Sequence, residues 1–282
     1  MHLLKMMVTA MAFICLSGCE QQQQTKSTLA ATAQSEAGPL RFDIKTVMRS
    51  SGPCGPDSST CAKVSIVYPE AVAGPGKQRQ SINRYVQQRL QSIKLDLNPD
   101  ANTTATGNGA EDLADFFLKQ RQQFIESMKT MPDMPAAIAG WEMQVKGKPL
   151  YISEKVVSLR FDIYHFSGGA HGNPSNILQS FDSTGHALTL TEIVSDTAQL
   201  RKLAEQKFRQ VRKEVVGNKT LEEAGYFVEG DTLPLPQNYA LSPEGLLLYY
   251  NPYEIGPYVM GATELVLPYK QLQSLLKPAY RP

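Results

Sequence analysis

Apolar and polar residues alternate along some stretches of this chain and recur every three to four residues along others, and the switches between the two periods mark out its elements. Phe42, Ile44 and Thr46 alternate with polar neighbours from near Leu40, which predicts a strand. Val64, Ile66 and Tyr68 would share one face of a second strand over 62–69. Ala73-Gly-Pro-Gly76 breaks the chain. Ile82, Tyr85, Val86, Leu90 and Ile93 then fall on one stripe, predicting a helix over about 77–95. After a loop rich in Asn, Thr, Gly and Ala at 98–109, a second helix over about 110–129 aligns Leu113, Phe116, Phe117, Phe124 and Met128, and the Pro-rich run 131–136 ends it.

Strands dominate from Gly140. Trp141, Met143 and Val145 alternate, and residues 156–166 carry the clearest strand pattern. There Val157, Leu159, Phe161 and Ile163 point one way, and Ser158, Arg160, Asp162 and Tyr164 the other. Ile177 to Phe181 makes the next strand, and Asp182-Ser-Thr-Gly185 supplies turn chemistry. Thr189 with Glu192 fits a capping box. A helix over about 197–216 aligns Leu200, Leu203, Ala204, Phe208, Val211 and Val215. Strands follow at 238–241, 245–250 and 263–267, then a short helix from Tyr269 to Leu276. No internal repeat of fixed period is visible. Strands, helices, strands, a helix and strands in this order predict an α+β fold with mostly antiparallel sheets and packed helices.

The start of the chain has a different character. Met1-His-Leu-Leu-Lys5 carries one cation, Met6 to Leu16 is apolar and uncharged, and Leu16-Ser-Gly-Cys19 closes the segment. A cationic start, a short apolar stretch and small residues at the cut describe an export signal over 1–18. The apolar stretch is shorter than the roughly 20 residues a membrane-spanning helix needs. The ending resembles the lipobox of bacterial lipoproteins, in which the cysteine is acylated; Cys19 is therefore the expected lipidation site and the membrane the expected first partner. Several acyl chains, at roughly 0.8 kcal/mol per buried CH₂, give stable anchoring. Glu20, where an Asp would resemble an inner-membrane retention signal, favours the outer membrane. Residues 19–38 are polar and small and read as a flexible tether.

Removing residues 1–18 from 282 leaves 264, enough for one large or two modest domains, expected here at 39–150 and 151–282. The formal net charge of +1 carries no basic excess that would suggest nucleic acid. Of four cysteines, Cys54 and Cys61 remain outside the signal and the lipid site. In an oxidising compartment this pair is expected to form a disulfide. A metal site would need further thiol or imidazole ligands, and none is close in sequence.

Two segments could carry chemistry. Tyr164-His-Phe-Ser-Gly-Gly-Ala-His-Gly172 holds two of the four histidines and three glycines after a strong strand. Gly168 and Gly169 allow positive φ, and successive backbone N–H groups there could cradle an anion or carboxylate. Asn251-Pro-Tyr-Glu-Ile-Gly-Pro-Tyr258 joins two strands with aromatics and one carboxylate. His165 and His171 lack a third ligand nearby and make a poor zinc signal. Ser167 is outside any Gly-x-Ser-x-Gly elbow. Nothing in the sequence brings Glu254 and Asp162 into the geometry of a glycan-hydrolysing pair. Tyr249, Tyr250, Tyr253 and Tyr258 are either core and turn packing or an aromatic binding surface. No catalytic residue, metal or cofactor is expected.

Both segments, together with Phe181-Asp-Ser-Thr-Gly185, Leu188-Thr-Leu190, Asn238-Tyr-Ala-Leu-Ser-Pro-Glu-Gly245, Tyr249-Tyr250 and Leu267-Pro-Tyr269, resemble the C-terminal domain of the lysozyme-sensing anti-sigma factor RsiV. Residues 40–150 are more loosely similar to its usual N-terminal companion, which also occurs beside the deacetylase domain of PdaC. The resemblance implies an extracytoplasmic α+β module and, in the sensor, lysozyme binding. It implies no sigma-factor inhibition or deacetylation here, because the corresponding segments are not found in this sequence. The expected function is a non-enzymatic envelope module that binds a lysozyme-like protein or a cell-wall ligand such as peptidoglycan. Its site would comprise Tyr164, His165, Gly168, Gly169, His171, Asn251, Tyr253, Glu254 and Tyr258. A peptidoglycan-modifying enzyme and a structural role in envelope assembly are the alternatives.

Overall fold

The computed structural model of the chain describes residues 38–52, 54, 61–104, 107–129 and 140–281. The export signal, Cys19 and most of the tether lie outside these residues. Strands β1 (Arg41–Ser50), β2 (Ala62–Ala73), β3 (Trp141–Ile152), β4 (Val156–Phe166) and β5 (Asn173–Asp182) form one sheet in that spatial order. All neighbours are antiparallel except β2 and β3. That pair is parallel because helices α1 (Gly76–Ser92), α2 (Lys94–Leu97) and α3 (Gly109–Met128) carry the chain back before β3 begins.

Helices α1 and α3 lie on one face of this sheet. Ile82, Val86 and Leu90 of α1 and Leu113, Ala114 and Phe117 of α3 pack on Val64, Ile66, Met143, Val145, Leu159, Phe161 and Ile163. Each of the Val, Leu, Ile, Phe and Met side chains among them, fully buried, contributes roughly 1.5–3 kcal/mol. Lys94 is held within this layer by Asp112 and lies 5.5 Å from the centre of the Phe116 ring. Asn108 caps α3 by accepting from the Ala110 N–H at 3.0 Å.

After β5 the capping box forms as its residues predict: Thr189 N–H donates to Glu192 at 2.8 Å, opening α4 (Leu190–Ile193). Helices α5 (Thr197–Val211) and α6 (Lys213–Val216) follow, then a second antiparallel sheet of β6 (Tyr239–Leu241), β7 (Gly245–Tyr250) and β8 (Thr263–Pro268), and α7 (Tyr269–Leu272). One face of this small sheet (Leu246, Leu248, Tyr250, Leu265, Leu267) receives Leu200, Ala204 and Phe208 of α5. Its other face meets the large sheet, where Ala240 and Leu247 pack on Leu178 of β5. The molecule is therefore layered as helices, large sheet, small sheet, helix, in keeping with the α+β expectation.

Three expectations are corrected. The boundary at 150/151 falls inside β3: β3 and β4 pair along their length, as in Val145 opposite Ile163, and Phe181 belongs to the first core. Sheet pairing thus carries the first layer on to Asp182. The helix expected over 197–216 breaks at Arg212, whose guanidinium donates to the Thr263 hydroxyl and the Ala262 carbonyl. The break turns Val211 and Val215 outward and buries Val216 instead. The tail helix stops at Leu272; a turn then places Leu275 and Leu276 in the second core, with Leu276 bridged to Val194. On α3, Arg121 takes a buried position in the expected stripe, while Phe124 stays 37 % exposed, 5.6 Å from Trp141 ring to ring. No helix among the described residues is long and apolar enough to cross a membrane. Cys54 and Cys61 are joined by a disulfide, with their Cα atoms 5.8 Å apart.

Candidate functional site

Tyr164 and His165 end β4, and the chain then turns through Gly168 and Gly169, both with positive φ (+97° and +99°), before entering β5. At the same end of the sheets, β7 runs out into Asn251–Tyr258. Tyr253 adopts φ +69°, which is costly for a bulky residue. The turn that imposes it is closed twice: Glu254 N–H donates to the Asn251 carbonyl at 3.1 Å, and Asn251 N–H donates to the Glu254 carboxylate at 2.8 Å.

The two loops meet at His171. Its imidazole stacks on Tyr258, with ring centroids 3.7 Å apart and planes inclined by 11°. Nδ1 lies 3.0 Å from the Gly172 carbonyl, which can only accept, so Nδ1 carries the proton; Nε2 then accepts from the Tyr253 hydroxyl at 3.3 Å. Tyr258 also donates to the Gly172 carbonyl, at 2.9 Å. Tyr164 packs against the backbone of Gly172, where any Cβ would overlap its ring. The outcome is a patch of three fixed rings on a single surface, with Tyr253 55 % exposed.

Beside this patch, a polar cleft of about 470 Å³ runs along the outer edge of β5, lined by Arg89, Asn176, Gln237, Asn238, Asn251 and Glu254. The asparagines act as a substitute strand. Asn238 accepts from Leu178 N–H at 2.6 Å and donates to the Asn176 carbonyl at 2.8 Å. Asn251 accepts from Asn176 N–H at 2.7 Å and donates to the same carbonyl at 3.2 Å. An exposed edge that could pair with other chains is thereby closed by side chains. Burial pushes the Glu254 carboxyl above the usual carboxylate range, against backbone N–H groups of Asn251 and Gln237 that hold it down.

His165 belongs to neither surface. It lies on the Phe161 and Ile163 side of β4, is 7 % exposed, and accepts from the Asn173 amide at 3.3 Å. Its Nδ1 has no partner among the described residues. Burial holds its pKa below the ordinary imidazole value, opposed by the charge of Asp96. It is separated from His171 because strand alternation aims it at the helices. Of the four tyrosines weighed together, Tyr250 is core, donating to the Pro234 carbonyl at 2.8 Å, and Tyr249 faces Arg160 between the sheets. Tyr253 and Tyr258 form the surface. Asp162 bonds Arg160 and Asn176, whereas Glu254 serves its own turn, so the two carboxylates are engaged with different partners. Among the described residues no group of three or more His, Cys, Asp or Glu could hold a metal ion. Arg89, Asn176, Gln237 and Asn238 join the site only through the fold: Arg89 comes from α1, far away in sequence, and Asn238 reads in the sequence as the start of a strand and of a family-like motif, not as a site residue.

The fold and its exposed loops thus define a two-sheet α+β module with an aromatic patch and an amide-lined cleft. Comparison with known proteins gives this class its relatives. Residues 57–174 match the family model described as deacetylase PdaC, and residues 191–270 match the one described as a protein of unknown function, DUF3298. The peptidoglycan-N-acetylmuramic acid deacetylase PdaC of Bacillus subtilis (strain 168) is 24% identical over 170 residues, covering 58% of this chain and 35% of that protein. The chain thus spans about a third of that relative's length. A solved DUF3298 member from Bacteroides fragilis NCTC 9343 aligns with a TM-score of 0.69 at 21% identity, over 86% of this chain and 96% of that one. A DUF3298 family protein from Pseudomonas aeruginosa PAO1 aligns at 0.62 with 19% identity, over 87% and 98%. These two likenesses show the fold.

Proposed function

We propose that this chain is a lipid-anchored cell-envelope module that binds a lysozyme-like protein or a cell-wall ligand without turning it over. The observation that carries the reading is the meeting of two loops more than 80 residues apart, with His171 stacked on Tyr258 and hydrogen-bonded to Tyr253. Rigid, half-exposed aromatics supply contact area at small entropic cost, which suits recognition of a protein or sugar surface. The loop motifs resemble those of the RsiV-type lysozyme sensor, and the match to a domain found in a peptidoglycan deacetylase supports a cell-wall setting. Cys19 is the proposed lipid site. The test is retention on immobilised lysozyme and on insoluble peptidoglycan. Wild type is retained on one of them, His171→Ala and Tyr253→Ala elute early with unchanged melting temperatures, and no acetate or muropeptide is released. Retention that survives both substitutions would refute the reading.

A second reading, a peptidoglycan-modifying enzyme, draws on the raised pKa of Glu254 in a cleft. It requires release of acetate or muropeptides that Glu254→Gln abolishes.

A further inference from the structure

At the opposite end of β4 the two sheets and the C-terminal segment enclose a cavity of about 380 Å³ whose walls include Tyr151, Glu154, Lys155, Tyr269, Tyr280 and Arg281. The eleven residues of β4 separate it from the His171 patch by roughly 35 Å at strand rise. The volume falls within the roughly 300–1,000 Å³ of small-ligand sites. We propose that this cavity is a separate binding site for a neutral pyranose unit of a glycan. The inference stands independently of the reading given to the aromatic patch.

Three features support it. The first is the set of rings. Tyr151, Tyr269 and Tyr280 are partly buried against the second core, so their bodies are already desolvated while their remaining surface faces the cavity. Tyr269 is further fixed by its hydroxyl, which donates to the Ser242 carbonyl at 2.8 Å. A pyranose presents flat C–H faces that such rings can cover.

The second is the polar rim. Arg281 is anchored through Nε, which donates to the Leu276 carbonyl at 2.9 Å, and Lys155 donates to the Arg281 carbonyl at 3.0 Å. Among the described residues, the terminal nitrogens of Arg281 and the carboxylate of Glu154 have no protein partner, and both residues line the cavity. Fixed donors and a free acceptor on one rim match the hydroxyl girdle of a sugar, each hydroxyl being both donor and acceptor.

The third is mixed charge. Glu154 opposes an anionic ligand, and Lys155 and Arg281, one cation in excess, oppose a cationic one more strongly, so a neutral polyhydroxylated molecule avoids both penalties. The wall itself is built by local structure: the Ser153 hydroxyl accepts from Val156 N–H at 3.0 Å, closing the β3–β4 turn, and the short helical turn Pro278–Tyr280 brings Tyr280 into the lining.

The experiment is titration of the full-length chain, in detergent, with chitotetraose and separately with cellotetraose, followed by calorimetry and by saturation-transfer NMR on the sugar protons. Saturable binding of either sugar is expected, weakened about tenfold by Tyr280→Ala and by Arg281→Ala, the loss of one stacked ring or one charged rim contact. Arg281 is exposed and Tyr280 half-buried, so an unchanged melting temperature certifies the fold; Glu154→Gln, which alters only the rim, supplies a third variant. Binding of neither sugar would overturn the proposal, as would binding that all three substitutions leave unchanged.

Discussion

The two faces of β4 and β5 meet their neighbours in opposite ways. Toward the helices, Val157, Leu159, Phe161, Ile163 and Phe181 present an apolar surface to α1 and α3. Toward the small sheet, the same strands present Ser158, Arg160, Asp162, Asn176 and Ser180. There the Ser158 and Ser180 hydroxyls bond each other at 2.8 Å, Ser180 also accepts from Leu241 N–H at 2.9 Å, and Arg160 reaches Glu264 of β8 at 2.7 Å. Apolar contact is non-directional and supplies stability on the first face. Directional bonds hold the second sheet at one registry, and a slip of one residue would leave buried donors unpaired. The loops that build the aromatic patch hang from that registry, since Asn251 and Asn238 both dock on β5.

This contrast can be broken from either side. The largest effect is expected on the apolar face: Phe161→Ala should cost about 3–5 kcal/mol in denaturant unfolding, with a cavity left under both helices. An equally stable variant would show that this core does not dominate. On the polar face, Asn238→Ala leaves Leu178 N–H without its acceptor, while the Asn176 carbonyl keeps the Asn251 amide, at a cost of about 1–3 kcal/mol. It should also loosen the 251–258 loop, visible as faster amide exchange at Tyr253 and Glu254. Ser158→Ala should cost about 1 kcal/mol, because Ser180 keeps its bond from Leu241.

A smaller change should follow pH. The folded-state pKa of His165 lies below the ordinary imidazole value, so the folded chain binds fewer protons than the unfolded one. Its contribution is therefore intact above the unfolded value of about 6.5 and is lost as pH falls below it. Asp96 and Glu254, raised by burial, act with the opposite sign and in the carboxylate range. The melting temperature should fall between pH 7 and 5.5, and His165→Gln should flatten that slope; an unaltered slope would assign it to other groups. Smallest of all, His171→Ala should change stability by less than about 0.5 kcal/mol, as a surface substitution, while removing ligand retention.

The periodic patterns alone determined most of the elements. The two-residue alternation of 157–163, the stripe of Ile82, Val86 and Leu90, and the Thr189–Glu192 box each became the element they predict, because each depends on neighbours within one strand or turn. The grouping of Tyr164, His165, His171, Tyr253 and Glu254 into one site was legible only in part. His171, Tyr253 and Tyr258 converge, but strand alternation sends His165 to the helix side, and Glu254 faces the asparagine cleft. The break of a helix at Arg212 was invisible because its cause, Thr263, lies on β8. Local periodicity could say which face of a regular element is buried, as for Ile82, Val86 and Leu90, but not at Phe124, Val211 and Val215, which are exposed where the stripe runs past the tertiary contact or the helix breaks. Only the tertiary structure decided that β3 and β4 share one sheet across the expected boundary, and which polar residues meet between the sheets. The contacts between the sheets join positions 60 to 104 residues apart, and the distances and angles that make a hydrogen bond exist only once both strands are in place.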